Sequence, residues 1–169
     1  MTAADNTLND WLRDAHAMEQ QALTMLKAQQ SRLENYPEVR KRITEHIGET
    51  ERQAELIRGC LKTRGEDISA LKDTGGRLMA LAQALGGIFL SDEVVKGSLV
   101  SYAFEHFEAA SYRMLIAASK HVGDQNTQSV CEGILAQEEA MAQWLAEHTD
   151  SVVDTYLTRE AQGSDAAKR

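Results

Sequence analysis

Apolar residues recur along this chain with the spacing of a helix face. Between residues 5 and 34 they stand at Leu8, Leu12, Ala15, Ala22, Leu26 and Leu33, with Glu19 in the same stripe. Steps of three and four keep side chains on one side of a helix that turns every 3.6 residues. The pattern predicts a first helix from Asp5 or Asn6 to Glu34, with Asp5, Asn6 and Thr7 offering N-cap chemistry. Pro37 breaks it, because proline suits the first turn of a helix and not its interior. A second helix is expected from Pro37 to between Lys62 and Arg64, closed by Gly65. Val39, Ile43, Ile47, Ala54, Ile57 and Leu61 form its apolar face, and His46, Glu49 and Gln53 run along one flank.

A third long helix should start at Ser91, Asp92 or Glu93 and reach about Lys120, before a turn at Gly123 and Asp124. The fourth should run from Gln125 to His148 on Cys131, Ile134, Glu138, Met141 and Leu145. A separate short helix is expected from Ser151 to Glu160, and a disordered tail over 161–169.

Short links after helices one and three predict antiparallel hairpins. The stretch 65–91 is longer and contains a short amphipathic helix over 69–85, before Gly86 and Gly87. Such a segment can travel the length of a bundle of about 35 to 40 Å, given about 1.5 Å per helical residue. The expected fold is therefore all-α: a ferritin-like four-helix bundle with one long crossover, filling one domain over residues 1–160.

Composition narrows the function. A chain of 169 residues has room for a real core. Its formal net charge of -8 argues against a nucleic-acid partner, whose phosphates repel an acidic surface. The most apolar stretch, Leu78 to Leu90, is too short to span a bilayer and holds two glycines. No basic segment leads into an apolar run, so a cytoplasmic protein without a membrane partner is expected. Cys60 and Cys131 lack metal-site spacing and are expected to be reduced.

The chemistry lies in the acids. Glu19, Glu49, Glu105 and Glu138 each fall near the middle of a different long helix. A carboxylate facing a bundle core must keep a proton, find a hydrogen-bonding partner or bind a cation. One glutamate per helix is the pattern of a dinuclear carboxylate centre. That pattern also uses E-x-x-H on two helices, and here Arg52 follows Glu49 and Met141 follows Glu138. Gln53 and Glu108 are further oxygen donors. His16 and His46, each three residues before a glutamate, are either unusual ligands or partners standing behind the ligands. The competing reading is a buried polar network in which the acids hold Tyr102, Tyr112, Gln53, His16 and His46.

Several stretches carry a family resemblance: WLRDAHAMEQQA at 11–22, NYPEVRKRITEHIGET at 35–50, GGIFLSDEVVKGS at 86–98, FEHFEAASY at 104–112 and ILAQEEAMAQWL at 134–145. Together they resemble the YciE/YciF-type proteins, a bacterial ferritin-like family, and most closely its YciE branch. The resemblance implies a dimeric, stress-associated helical bundle with a rubrerythrin-like dinuclear site. Its matching candidate ligands are Glu19, Glu49, Gln53, Glu105, Glu108 and Glu138; the reading of the residues adds His16, His46 and Tyr112 as partners standing behind them. Iron is the expected metal, with manganese and zinc as alternatives, and oxygen or peroxide as the co-reactant. Two functions stay open, with iron storage in a large shell as a third and weaker one. One is Fe(II) oxidation or peroxide handling. The other is a non-enzymatic, dimeric structural or interaction protein.

Overall fold

A computed structural model describes residues 1–66 and 94–163. They form four helices: α1 (Ala3–Gln30), α2 (Pro37–Thr63), α3 (Val94–Val122) and α4 (Gln125–Ala161). No strand occurs among the described residues. The all-α bundle expected from the sequence is the fold found. The short crossover helix over 69–85, the helix start at Ser91 to Glu93 and the end of the tail lie outside the described residues.

Local chemistry sets the helix ends. Thr2 caps α1 through a reciprocal pair: its hydroxyl accepts from the Asp5 amide, and the Asp5 carboxylate accepts from the Thr2 amide at 2.8 Å. Asp5 therefore sits one turn inside the helix, which begins earlier than expected. The other end also shifts. α1 stops at Gln30, and Leu33 and Tyr36 are buried from the link to α2. Gly65, at φ 79°, closes α2, and the Glu66 amide donates to the Leu61 carbonyl at 3.0 Å. Asp124 caps α4 by accepting from the Thr127 amide at 2.9 Å.

One expected element is corrected. The segment Ser151 to Glu160 is not a separate helix but the last turns of α4. Ser151 reads as a cap in the sequence, yet its hydroxyl donates back to the His148 carbonyl at 2.9 Å, and Thr149 does the same to Leu145 at 2.9 Å. Those hydroxyls are satisfied inside a continuous helix. Buried Val152 then extends the core toward Tyr36 and Leu33.

The helices pack α1 on α2 and α3 on α4, with α1 also against α3 and α2 against α4. Their apolar residues separate into two clusters by height. One holds Leu8, Leu12, Ile57, Leu61, Leu115, Cys131 and Ile134. The other holds Leu26, Leu33, Ile43, Ile47, Met141, Leu145 and Val152. Between them, at the middle of every helix, lies a layer of buried polar residues: Glu19, His46, Gln53, Glu105, Glu108 and Glu138. Cys60 and Cys131 are buried and unbridged.

At the end of the bundle near the α3–α4 turn, Arg64 fastens three segments. Its guanidinium donates to Asp124 at 2.7 Å and to the Asp5 carboxylate at 3.1 Å, and it also reaches Asn9. This clasp ties the ends of α1 and α2 to the α3–α4 turn.

Candidate metal centre

Four helices deliver the central layer. Glu19 comes from α1, His46 and Gln53 from α2, Glu105 and Glu108 from α3, and Glu138 from α4; all are at most 2% exposed. The spacing of three between Glu105 and Glu108 puts both on one face of α3. His46, Thr50 and Gln53 share one face of α2 in the same way, and the Thr50 hydroxyl donates to the His46 carbonyl at 2.9 Å.

His46 is the hub. Its Nε2 lies 3.1 Å from Glu105 Oε2 and 3.6 Å from Glu138 Oε2. Its Nδ1 lies 2.8 Å from Glu49 Oε2, and Arg42 donates to that same oxygen at 3.1 Å. One ligand atom each from His46, Glu105 and Glu138 fall within 4.8 Å of one another. Around this group, donors tie down one oxygen of a carboxyl and leave the other. The Tyr112 hydroxyl donates to Glu19 Oε1, and Gln53 donates through Nε2 to Glu138 Oε1 and, at 2.9 Å, to Gln137.

Within this layer five buried side-chain oxygens have no hydrogen-bond partner: Glu19 Oε2, Gln53 Oε1, Glu105 Oε2, Glu108 Oε1 and Glu138 Oε2. Glu105 Oε2 touches His46 Nε2 at ion-pair distance but not in hydrogen-bond alignment. A buried oxygen left without a partner costs about 1 to 3 kcal/mol. Five of them in one layer is a donor set that fits a cation.

The charges agree. Burial lifts Glu108 well above the usual carboxylate range, reinforced by Glu19, Glu105 and Glu138. Burial also raises Glu19 to about 8, against the Tyr112 hydrogen bond and the His46 charge. Glu138 rises to about 10 through burial and the neighbouring Glu105 carboxyl. Burial opposes the charge of His46, but the Glu105 and Glu49 carboxylates beside it prevail and lift it to about 10. Glu49 falls to about 2, chiefly through its bond to His46 and with Arg42 beside it. Burial and Glu19 hold the Tyr112 hydroxyl protonated. Protons or cations can each balance such a layer, and a divalent ion displaces protons when it binds.

The sequence candidates thus divide. Glu19, Gln53, Glu105, Glu108, Glu138 and Tyr112 come together in the buried layer. Glu49 stands outside it, its side chain 24% exposed and engaged by His46 and Arg42. His46 occupies the inward position instead, so α2 carries H-x-x-E where the usual pattern has E-x-x-H. Its spacing from Ile43, Thr50 and Gln53 was the available signal. His16 is half-buried on the flank of α1, in the fields of Glu55 and Arg58. Tyr102 is on the surface, edge-on to His106.

Comparison with known proteins gives the chain a family. Residues 3–158 match the family model described as Domain of unknown function (DUF892). A crystal structure of a protein from Xanthomonas campestris pv. campestris has a TM-score of 0.79 at 40% identity, covering 94% of this chain and 99% of that one. The E. coli stress protein YciF has a TM-score of 0.74 at 19% identity, covering 91% and 99% of the two chains. YcfI of Rhodopseudomonas palustris has a TM-score of 0.67 at 22% identity, covering 86% and 94%. At those lower identities the likeness is one of fold, and it agrees with the YciE/YciF-type resemblance of the motifs. The chain belongs to the DUF892 family.

Proposed function

We propose that this protein is a ferritin-like metal protein whose buried layer binds a pair of divalent cations for Fe(II) oxidation or peroxide handling. The observation that carries the reading is the convergence of His46, Glu105 and Glu138, surrounded by buried oxygens without partners. A ferrous pair held there would supply the electrons, one from each Fe(II), for reduction of oxygen or peroxide. The chain does the rest. His46, Glu105 and Glu138 would hold one cation, and Glu19 and Glu108, each with a buried oxygen lacking a partner, would hold the other. Tyr112 and Gln53 each tie one carboxylate oxygen, leaving its partner oxygen for the metal. Gln53 Oε1 remains a further donor. Glu49 acts through His46, by accepting from Nδ1 and leaving Nε2 for the centre. The apolar clusters above and below keep bulk water out.

Iron leads on the donor set of imidazole and carboxylates; manganese and zinc suit parts of it. A place in the YciE branch, a homodimer and a stress-associated role in the cytoplasm complete the proposal. The fold shared with a stress protein supports that role. Among the described residues no helix is long and apolar enough to cross a membrane.

The test is peroxide consumption after anaerobic Fe(II) loading. Consumption matched to the Fe(II) oxidised, and lost in Glu105→Ala, supports the proposal. Peroxide left untouched by iron-loaded protein contradicts it. A second reading, a non-enzymatic protein with a static polar network, draws on the Tyr112–Glu19 and Gln53–Glu138 bonds, which protons alone can complete. That reading expects no metal-dependent turnover.

A further inference from the structure

The central layer is lopsided. A symmetric dinuclear carboxylate centre carries one histidine for each metal. Here the nitrogen donor comes from α2 alone. At the corresponding place on α4, three residues after Glu138, stands Met141, fully buried within the apolar cluster. On α1 the nearby His16 faces the flank and its charged neighbours.

Pre-organisation is lopsided as well. Among the described residues, the one group of three ligand atoms drawn within 4.8 Å is His46, Glu105 and Glu138. Glu19 and Glu108 each bring a buried oxygen without a partner, but no nitrogen donor accompanies them.

We propose that the two halves of this centre differ in metal preference and fill in order. The inference rests on the dinuclear reading above. The His46–Glu105–Glu138 half binds first and selects a nitrogen-preferring transition ion such as Fe(II) or Zn(II). The Glu19–Glu108 half, with oxygen donors only, binds second and tolerates Mn(II). Two physical causes set the order. Imidazole raises affinity for the later divalent ions over Mn(II), whereas carboxylate oxygens discriminate less. The second ion must also enter beside a bound positive charge, in a site of low dielectric.

The experiment is anaerobic titration of the full chain with Zn(II) and with Mn(II), followed by calorimetry. A further sample receives one equivalent of Zn(II) and then Mn(II), followed by electron paramagnetic resonance. The expected Zn(II) isotherm has two steps, the first tighter by about tenfold or more. Mn(II) added after one equivalent of Zn(II) gives the spectrum of isolated Mn(II), without coupling to a second manganese. His46→Gln weakens the first step by about a hundredfold and spares the second. Glu108→Gln removes the second step and spares the first. Two Zn(II) steps of equal affinity, or a His46→Gln variant that weakens both steps alike, overturn the ordered filling while leaving the dinuclear reading intact. Failure of the wild-type chain to bind a second ion overturns the dinuclear reading itself, and the ordering with it.

Discussion

The imidazole of His46 reaches Glu105 through one nitrogen, with Nε2 3.1 Å from Oε2. Its other nitrogen is held by Glu49 at 2.8 Å. The ring therefore joins a carboxylate at the edge of the bundle to one in its centre. Removing the outer carboxylate should loosen the inner geometry without removing a buried donor. Glu49→Leu is expected to weaken divalent-metal binding by about 10- to 100-fold. Glu49→Gln, which keeps an oxygen acceptor for Nδ1, should recover most of that loss. Equilibrium dialysis of the three proteins checks this; equal affinities would show that Glu49 does not position His46.

The metal-free protein should lose stability as pH rises. Unfolded glutamates titrate near 4.5, whereas Glu19 and Glu138 keep their protons in the folded chain to about 8 and about 10. Between those values the folded state holds more protons, so raising the pH favours unfolding. His46, raised from 6.5 to about 10, acts in the same direction: its contribution is full below 6.5 and is lost as pH rises through about 10. Glu49, lowered to about 2, contributes the opposite slope only below about 4.5. The thermal midpoint of chelated protein should therefore fall steadily from about pH 5 to about pH 9. Saturating Zn(II), which takes the place of those protons, should flatten or reverse the trend. A metal-free midpoint that rises across this range would contradict the assigned charges.

Glu108 separates metal binding from folding. Its carboxyl is buried and kept protonated among Glu19, Glu105 and Glu138. An amide has the same shape and no charge, so Glu108→Gln should change metal-free stability near pH 6 by no more than about 1 kcal/mol. Metal stoichiometry should fall in the same variant. Urea unfolding beside metal analysis measures both quantities.

Arg64 offers the converse case. It ties Asp5 and Asp124 together at one end of the bundle, away from the acid layer. Arg64→Ala should lower the thermal midpoint while leaving metal stoichiometry unchanged at temperatures where the protein is folded. Loss of metal from a folded Arg64→Ala protein would mean that the clasp sets the geometry of the centre.

The sequence carried the helices because apolar stripes and breakers coincide: Pro37 opens α2, Gly65 closes it, and Gly123 with Asp124 turns α3 into α4. Helix ends were less legible. Asp5 looks like a cap until Thr2 is seen to share the box, and Ser151 looks like a cap until its hydroxyl folds back on His148. Glu19 and Glu138 stood out as acids within apolar stripes, and Glu105 as an acid near the middle of the third long helix. Glu49 was read on the flank of the α2 face beside His46 and Gln53, and a helix turn of about 100° per residue gives the inner place to His46 instead. Side-chain reach and partner choice decided that exchange, and neither is written in spacing alone. The crossover that joins the two hairpins lies outside the described residues.

If the buried acid layer binds metal, iron stays with the folded protein. The most direct measurement is iron content after anaerobic Fe(II) titration and buffer exchange, with Glu105→Ala in parallel. About two irons per chain are expected, and fewer in the variant, as a carboxylate centre spread over four helices requires. No retained iron in either protein, and none of manganese or zinc under the same treatment, would contradict it and leave the layer a proton-filled polar network.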